Sequence, residues 1–188
     1  LAAQPLVRLS YLYPLETWNT NVNGTLNILE ALKNIKKKVS VVIITTDKVY
    51  QNNNWLYGYR ENDQLGGHDP YSASKAAAEI AVSRWRSSFC GQGINQTKYL
   101  SIATARAGNV IGGGDWSEGR IIPDCVNSLK NNKTILLRKP LATRPWQHVL
   151  EPLSGYLLLA KQLYLEPSKI NGSYNFGPEV KSNKTVKE

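Results

Sequence analysis

The stretch Val41-Val42-Ile43-Ile44-Thr45-Thr46-Asp47-Lys48 decides how this chain is read. Four apolar residues run without interruption into two hydroxyls, an acid and an amine. Apolarity without alternation marks a parallel strand buried on both faces, so residues 39–45 are read as a central strand. Its polar tail then sits at the carboxyl end of the sheet, where ligands bind in open α/β folds. One loop later comes Tyr71-Ser72-Ala73-Ser74-Lys75. Asp69-Pro70 before it is a helix-start signal, and Gly91 and Gly93 end the helix after residue 89. Tyr71 and Lys75 are four apart and share one helix face. A phenol beside an ammonium ion suits proton transfer near neutral pH.

The flanking pattern repeats this alternation. Residues 1–7 read as the end of a strand and a loop. Pro14 suits a first helical turn, and Val22, Leu26, Leu29, Ala31 and Leu32 keep helical spacing to about Lys37. Residues 51–69 read as loop, 99–105 as strand, and 110–119 as a glycine-rich loop. Helix is expected at 122–129 and 150–165, and strand at 134–137 and 173–176. Strands alternating with helices predict an α/β fold, a Rossmann-like doubly wound parallel sheet. Residues 1–108 are expected to form a partial dinucleotide-binding domain. Residues 109–188 are expected to form a smaller substrate-binding lobe with interleaved sheet elements.

Bulk properties narrow the class. The 188 residues are 41% hydrophobic and 20% charged, as in a folded globular protein. No apolar run is long enough to cross a bilayer. Residues 1–10 lack the basic-then-apolar order of a secretory leader. The chain has no methionine, starts at Leu1 and stops in a polar stretch, so a piece of a longer protein is expected. The net charge is +9, but the basic residues are scattered, with no zinc spacing and no aromatic RNA-binding strand. Lys36-Lys37-Lys38 reads as a solvated helix end, and nucleic acid is not the expected partner. Cys90 and Cys125 have no metal spacing and read as reduced, partly buried thiols of a cytoplasmic protein.

Several segments together resemble the extended short-chain dehydrogenase/reductase family, and most of all its CDP-glucose 4,6-dehydratases. They are Leu1 to Pro5, Thr20 to Thr25, Thr46-Asp47-Lys48, Gly58 to Glu61, Tyr71 to Lys75, Ala105 to Trp116, Arg144 to Val149 and Tyr174 to Gly177. Tyr-x-x-x-Lys is shared across the superfamily. The Thr-Asp-Lys triplet, the Gly-Gly-Gly-Asp-Trp loop and Arg-Pro-Trp-Gln-His are more specific. The family's glycine-rich pyrophosphate turn is not in this sequence, and Gly112-Gly113-Gly114 follows a late strand and does not replace it. The 188 residues alone are therefore expected to be inactive.

The resemblance implies NAD as cofactor and CDP-glucose as substrate, converted to a 4-keto-6-deoxy sugar. It implies cofactor contacts at Ala2, Ala3, Gln4, Thr20, Tyr71 and Lys75. Tyr71 would take the C4 hydroxyl proton, with Thr46 bonded to the same hydroxyl and Lys75 favouring the ionised phenol. Lys48 would remove the C5 proton, or else support the enolate by its charge; as a base it must be neutral, which calls for desolvation or the nearby Lys75. Asp47 would protonate the departing C6 hydroxyl and must carry a proton. Asn109, Arg120, Arg144 and Asn175 would meet the sugar nucleotide, the arginines because a guanidinium grips phosphate bidentately. A homodimer or homotetramer, paired through the Tyr71 helix, is implied, with no metal. Another nucleotide-sugar epimerase or dehydratase, and a non-catalytic nucleotide-sugar-binding protein, remain open. Lys48 argues against a simple C4 epimerase, which needs no acid and base at C5 and C6.

Overall fold

The computed structural model describes residues 2–55 and 57–188. The chain divides into two compact units, one of Leu1–Ala107 with Pro152–Phe176, the other of Gly108–Glu151 with Gly177–Glu188. Residues 152–176 thus return to the first unit.

The first unit is built on three parallel strands in the order β1 (Val39–Ile44), β2 (Leu100–Ala107) and β6 (Ser173–Phe176). Side chains alternate across the sheet, so each strand feeds two cores. Val41 and Ile43 join Leu29, Val82, Leu100 and Ile102 on one face. Val42 and Ile44 join Ala103, Ala105, Leu159 and Leu163 on the other. Helices α3 (Gly24–Leu32) and α4 (Pro70–Phe89) cover the first face, and α6 (Leu150–Leu165) covers the second. The small Gly155 lets α6 come down on the ring of Phe176, where a Cβ would clash.

The expected central strand is placed differently. Among the described residues β1 pairs only with β2 and is half-buried, whereas β2 pairs on both sides and is buried throughout. Its small residues explain this, since Ala103, Ala105 and Ala107 let helices approach closely. The strand end expected within residues 1–7 is not formed among the described residues, and the chain enters helix α1 (Val7–Leu12) at its last position. The long helix expected from Pro14 to Lys37 is interrupted: α2 (Pro14–Trp18) passes through a π-helical turn, Asn19–Asn23, into α3, which stops at Leu32. The turn faces Asn21 inward, where its side chain is fully bonded. Of the family segment Leu1 to Pro5, only Leu1 lies outside the described residues.

The second unit holds β3 (Val110–Ile111) paired in parallel with β5 (Gln147–His148), and β4 (Thr143–Pro145) antiparallel to β7 (Asn183–Thr185). Between them lies α5 (Ile121–Lys130). The strand expected at 134–137 is not formed, because Thr134-Ile135-Leu136-Leu137 finds no pairing edge. A short α7 (Pro167–Ile170) precedes β6. No helix among the described residues is long and apolar enough to cross a membrane. Cys90 is half-buried, and burial pushes its thiol up to about 11.

Candidate active site

Strand β1 ends at Ile44, and Thr45-Thr46 leads out of the sheet into a single 3-10 turn, Asp47–Val49. Thr46 caps that turn. Its Oγ1 accepts from Lys48 N at 3.4 Å and donates to Asp47 Oδ1 at 3.0 Å. Lys48 Nζ lies 3.2 Å from the same Asp47 oxygen. The desolvation expected at Lys48 is not present, since its side chain is 41% exposed. The pair sits at the end of an exposed turn where water reaches both groups.

Helix α4 begins where it does because Asp69 and Ser72 form a capping box. Ser72 N donates to Asp69 Oδ1 at 2.9 Å, and Asp69 N donates back to Ser72 Oγ at 3.2 Å. Pro70 at the first helical position has no N–H to satisfy. Tyr71 and Lys75 then fall on successive turns of one face, both buried. Lys75 Nζ donates to Ile44 O at 3.1 Å, pinning the ammonium to the end of β1. Burial lowers Lys75 from 10.5 to about 8, with the Glu79 carboxylate pulling the other way.

The two motifs meet. Ala76, next to Lys75, packs with Val49 and Tyr50 in one apolar cluster. Tyr71, Lys75, Thr46, Asp47 and Lys48 are thereby gathered at the carboxyl end of β1. The expected cofactor segment is tethered to the same helix. Asn21 accepts from Gln4 N at 2.9 Å, donates to Gln4 O at 3.1 Å, and donates to Ser74 Oγ at 2.9 Å. The Gln4 side chain is held by Thr17 and Leu6, so its amide, like its backbone, is already bonded within the chain. Ala2 and Thr20 are exposed, and Ala3 is half-buried.

Three of the four residues expected at the sugar nucleotide lie in the second unit. Asn109 Oδ1 is buried without a hydrogen-bond partner among the described residues. Arg120 Nε lies 3.1 Å from Asp115 Oδ2. Arg144 donates to Thr143 O at 2.7 Å. The fourth, Asn175, belongs to the first unit, and its amide does not reach outward as expected. Its Oδ1 accepts from Tyr50 Oη at 2.7 Å and its Nδ2 donates to Tyr59 O at 2.8 Å.

Sequence reasoning missed the polar group behind the site. Glu79 and Arg106 are buried and joined at 2.8 Å. Arg106 also donates to Tyr50 Oη at 2.7 Å and to Glu61 O at 3.0 Å. The signals were an arginine inside the strand-forming stretch Leu100–Ala107 and an acid one helical turn past Lys75.

A parallel sheet covered on both faces, with a Tyr-x-x-x-Lys helix beside the polar end of one strand, is the arrangement of a nicotinamide-dependent short-chain fold. The chain belongs to the NAD dependent epimerase/dehydratase family, whose pattern matches residues 1–177. It is 51% identical over 186 residues to the CDP-glucose 4,6-dehydratase of Salmonella typhimurium, covering 99% of this chain and 52% of that protein. It is 30% identical to the dTDP-D-glucose 4,6-dehydratase of Dictyostelium discoideum, covering 95% of this chain and 40% of that one. The chain thus spans about half the length, or less, of these relatives. A dTDP-glucose 4,6-dehydratase from Streptomyces venezuelae solved with NAD and TYD shares the fold at a TM-score of 0.77 and 23% identity, over 99% of this chain and 52% of that one. So does a UDP-N-acetylglucosamine 4-epimerase from Methanobrevibacter ruminantium, at 0.78 and 23%, over 99% and 55%.

Proposed function

We propose that the gene product containing this chain is an NAD-dependent nucleotide-sugar 4,6-dehydratase that converts CDP-glucose to its 4-keto-6-deoxy product. The observation that carries this reading is the meeting of Thr46-Asp47-Lys48 with Tyr71 and Lys75 at one sheet end, in a chain 51% identical to a CDP-glucose 4,6-dehydratase.

The residues present fit the nicotinamide end of a cofactor. Lys75 supplies a buried ammonium, and Asn21 ties the backbone of Gln4 to the helix that carries Lys75. Ala2, Ala3, Gln4, Thr20, Tyr71 and Lys75 would hold it. NAD, when bound, would take the C4 hydride and give it back at C6 after water has left, a proton returning to C5, so that the cofactor ends each turnover oxidised. Tyr71 removes the C4 hydroxyl proton, with the Lys75 charge favouring the phenolate and Thr46 bonding the same oxygen. The resulting ketone acidifies the C5 hydrogen, which Lys48 removes. Asp47 gives its proton to the C6 hydroxyl as water leaves. The Asp47–Lys48 contact at 3.2 Å puts the proposed acid and base side by side on one turn.

Arg120 and Arg144 would bind the diphosphate, and Asn109, with its unpartnered Oδ1, a sugar or base donor. Asn175 supports the site from the end of β6. The gene product is placed in the cytoplasm, in keeping with two free cysteines. Exposed Tyr11, Leu12, Leu15, Ile28 and Ile80 on the helices around α4 support a homodimer or a dimer of dimers. The test is incubation of the full-length protein with NAD and CDP-glucose, followed by mass spectrometry. Product lighter by one water is expected. An epimer of unchanged mass would make the protein an epimerase, and no turnover with intact binding would make it a non-catalytic binder.

A further inference from the structure

One buried carboxylate ties α4 to all three strands of the first unit. Glu79 Oε1 accepts from Thr45 Oγ1, the residue that follows β1. Glu79 Oε2 accepts from Thr104 Oγ1 and Arg106 Nη2 of β2, each at 2.8 Å, and from Ser173 Oγ of β6 at 3.4 Å. Its side chain is 1% exposed. A charge this deep is stable only when its partners satisfy it, and here four donors converge on it.

The position of Glu79 is what gives it consequence. Lys75, one helical turn earlier, donates to Ile44 O, and Glu79 grips Thr45, the very next residue. Two adjacent links therefore fasten the helix face that carries Tyr71 and Lys75 to the strand end that carries Thr46. On its other side Arg106 continues the chain of bonds to Tyr50 and on to Asn175.

We propose that Glu79 is a positioning residue for the dehydratase site: its carboxylate fixes the height of α4 against β1, keeping Tyr71, Lys75 and Thr46 in one register, and acts as the counter-charge of Lys75. This deepens the dehydratase reading and rests on it for its effect on turnover. Glu79 touches neither substrate nor cofactor in this role. The charged groups around Lys75 are few. Tyr71 and Glu79 face it from its own helix, Asp47 and Lys48 from the turn packed on that helix, and Arg106 from β2 behind Glu79. Arg8, Glu16 and Glu30 on the neighbouring helices are exposed.

The experiment uses the full-length protein with Glu79→Gln alone and with Glu79→Gln/Arg106→Gln. The single variant leaves a buried guanidinium unpaired and unfolds readily; the double variant removes both charges, and the amide at position 79 offers one acceptor oxygen where the carboxylate offered two. In the double variant kcat with CDP-glucose is expected to fall at least tenfold while KM changes less than threefold. The second readout needs no substrate: the pH dependence of Lys75 acetylation by acetic anhydride, followed by peptide mass spectrometry. Its midpoint is expected to move down by about half a pH unit, because the carboxylate one helical turn away outweighs the more distant Arg106 charge removed with it. A folded double variant with wild-type kcat and an unmoved Lys75 midpoint would overturn the proposal and leave Glu79 a purely structural residue. If wild-type protein does not turn over CDP-glucose but the midpoint still moves, the substrate reading fails and the positioning of Lys75 by Glu79 stands.

Discussion

Arg106 Nη2 and Glu79 Oε2 lie 2.8 Å apart with both side chains withdrawn from water, 3% and 1% exposed. Removing one partner strands the other in the sheet. Arg106→Met is expected to cost about 3–5 kcal/mol of stability, the usual penalty for breaking a buried ion pair. Adding Glu79→Leu should recover part of that loss, because an apolar pair needs no compensation. Denaturant unfolding of the two variants checks this; equal stability for Arg106→Met and wild type would show that water reaches the pair.

Lys75 makes the stability depend on pH. Its folded value, about 8, lies below its ordinary 10.5, so the unfolded chain binds this proton more tightly. Stability contributed by Lys75 therefore rises as the pH climbs from about 8 to 10.5, and below that window the buried charge is a cost of about 3 kcal/mol. Lys75→Met should flatten this part of the profile. Urea melts of both proteins between pH 7 and 10.5 would show the difference curve, and parallel curves would sink the assignment.

Asp47 and Lys48 can be separated by isotope. With Asp47→Asn, C4 oxidation should continue while loss of water falls by at least tenfold, a change of about 1.4 kcal/mol or more in barrier. With Lys48→Ala, incorporation of deuterium at C5 from heavy water should drop by a similar factor. Unaltered C5 exchange would remove Lys48 as the base.

Gly67 lies against the first turn of α4, where a Cβ would run into the backbone of Ala73 and Ser72. No side-chain rotation relieves that clash. Gly67→Ala should shift the helix start, destabilise by about 1–3 kcal/mol and lower kcat by moving Tyr71. A variant with unchanged melting temperature and kcat would mean that the loop, rather than the helix, gives way.

Leu15 on α2 and Ile80 on α4 are both exposed, on helices that pack together. Leu15→Glu with Ile80→Glu should convert a dimer of the full-length protein to monomer, read by light scattering after gel filtration. Persistence of the dimer would move the interface elsewhere.

Much of this architecture is legible in sequence because its signals are local. The Asp69-Pro70 cap, the Tyr71–Lys75 spacing, the largely apolar run at 39–44 and the strand read at 99–105 each declare themselves within a few residues. What escaped depends on distant partners. The Glu79–Arg106 pair joins residues 27 apart, and no periodicity announces it. Thr134 to Leu137 has strand-like composition but no neighbouring edge, whereas Thr143–Pro145 forms a strand because Asn183–Thr185 lies beside it. The interruption at Asn19–Asn23 follows from a single inward amide, which a hydrophobic pattern cannot show. Asn175 was found by its place in the family pattern, but its bonds to Tyr50 and Tyr59 came only with the fold.

The half-buried β1 has a practical consequence. Val39–Ile44 is apolar but for Ser40, has no proline or charge, and is paired on one side only among the described residues. Such a strand is a template for further strand addition. When these 188 residues are expressed alone, copies should zip together along that rim and leave solution as sheet-rich precipitate, so a gatekeeping charge at Ser40 is the first remedy to try.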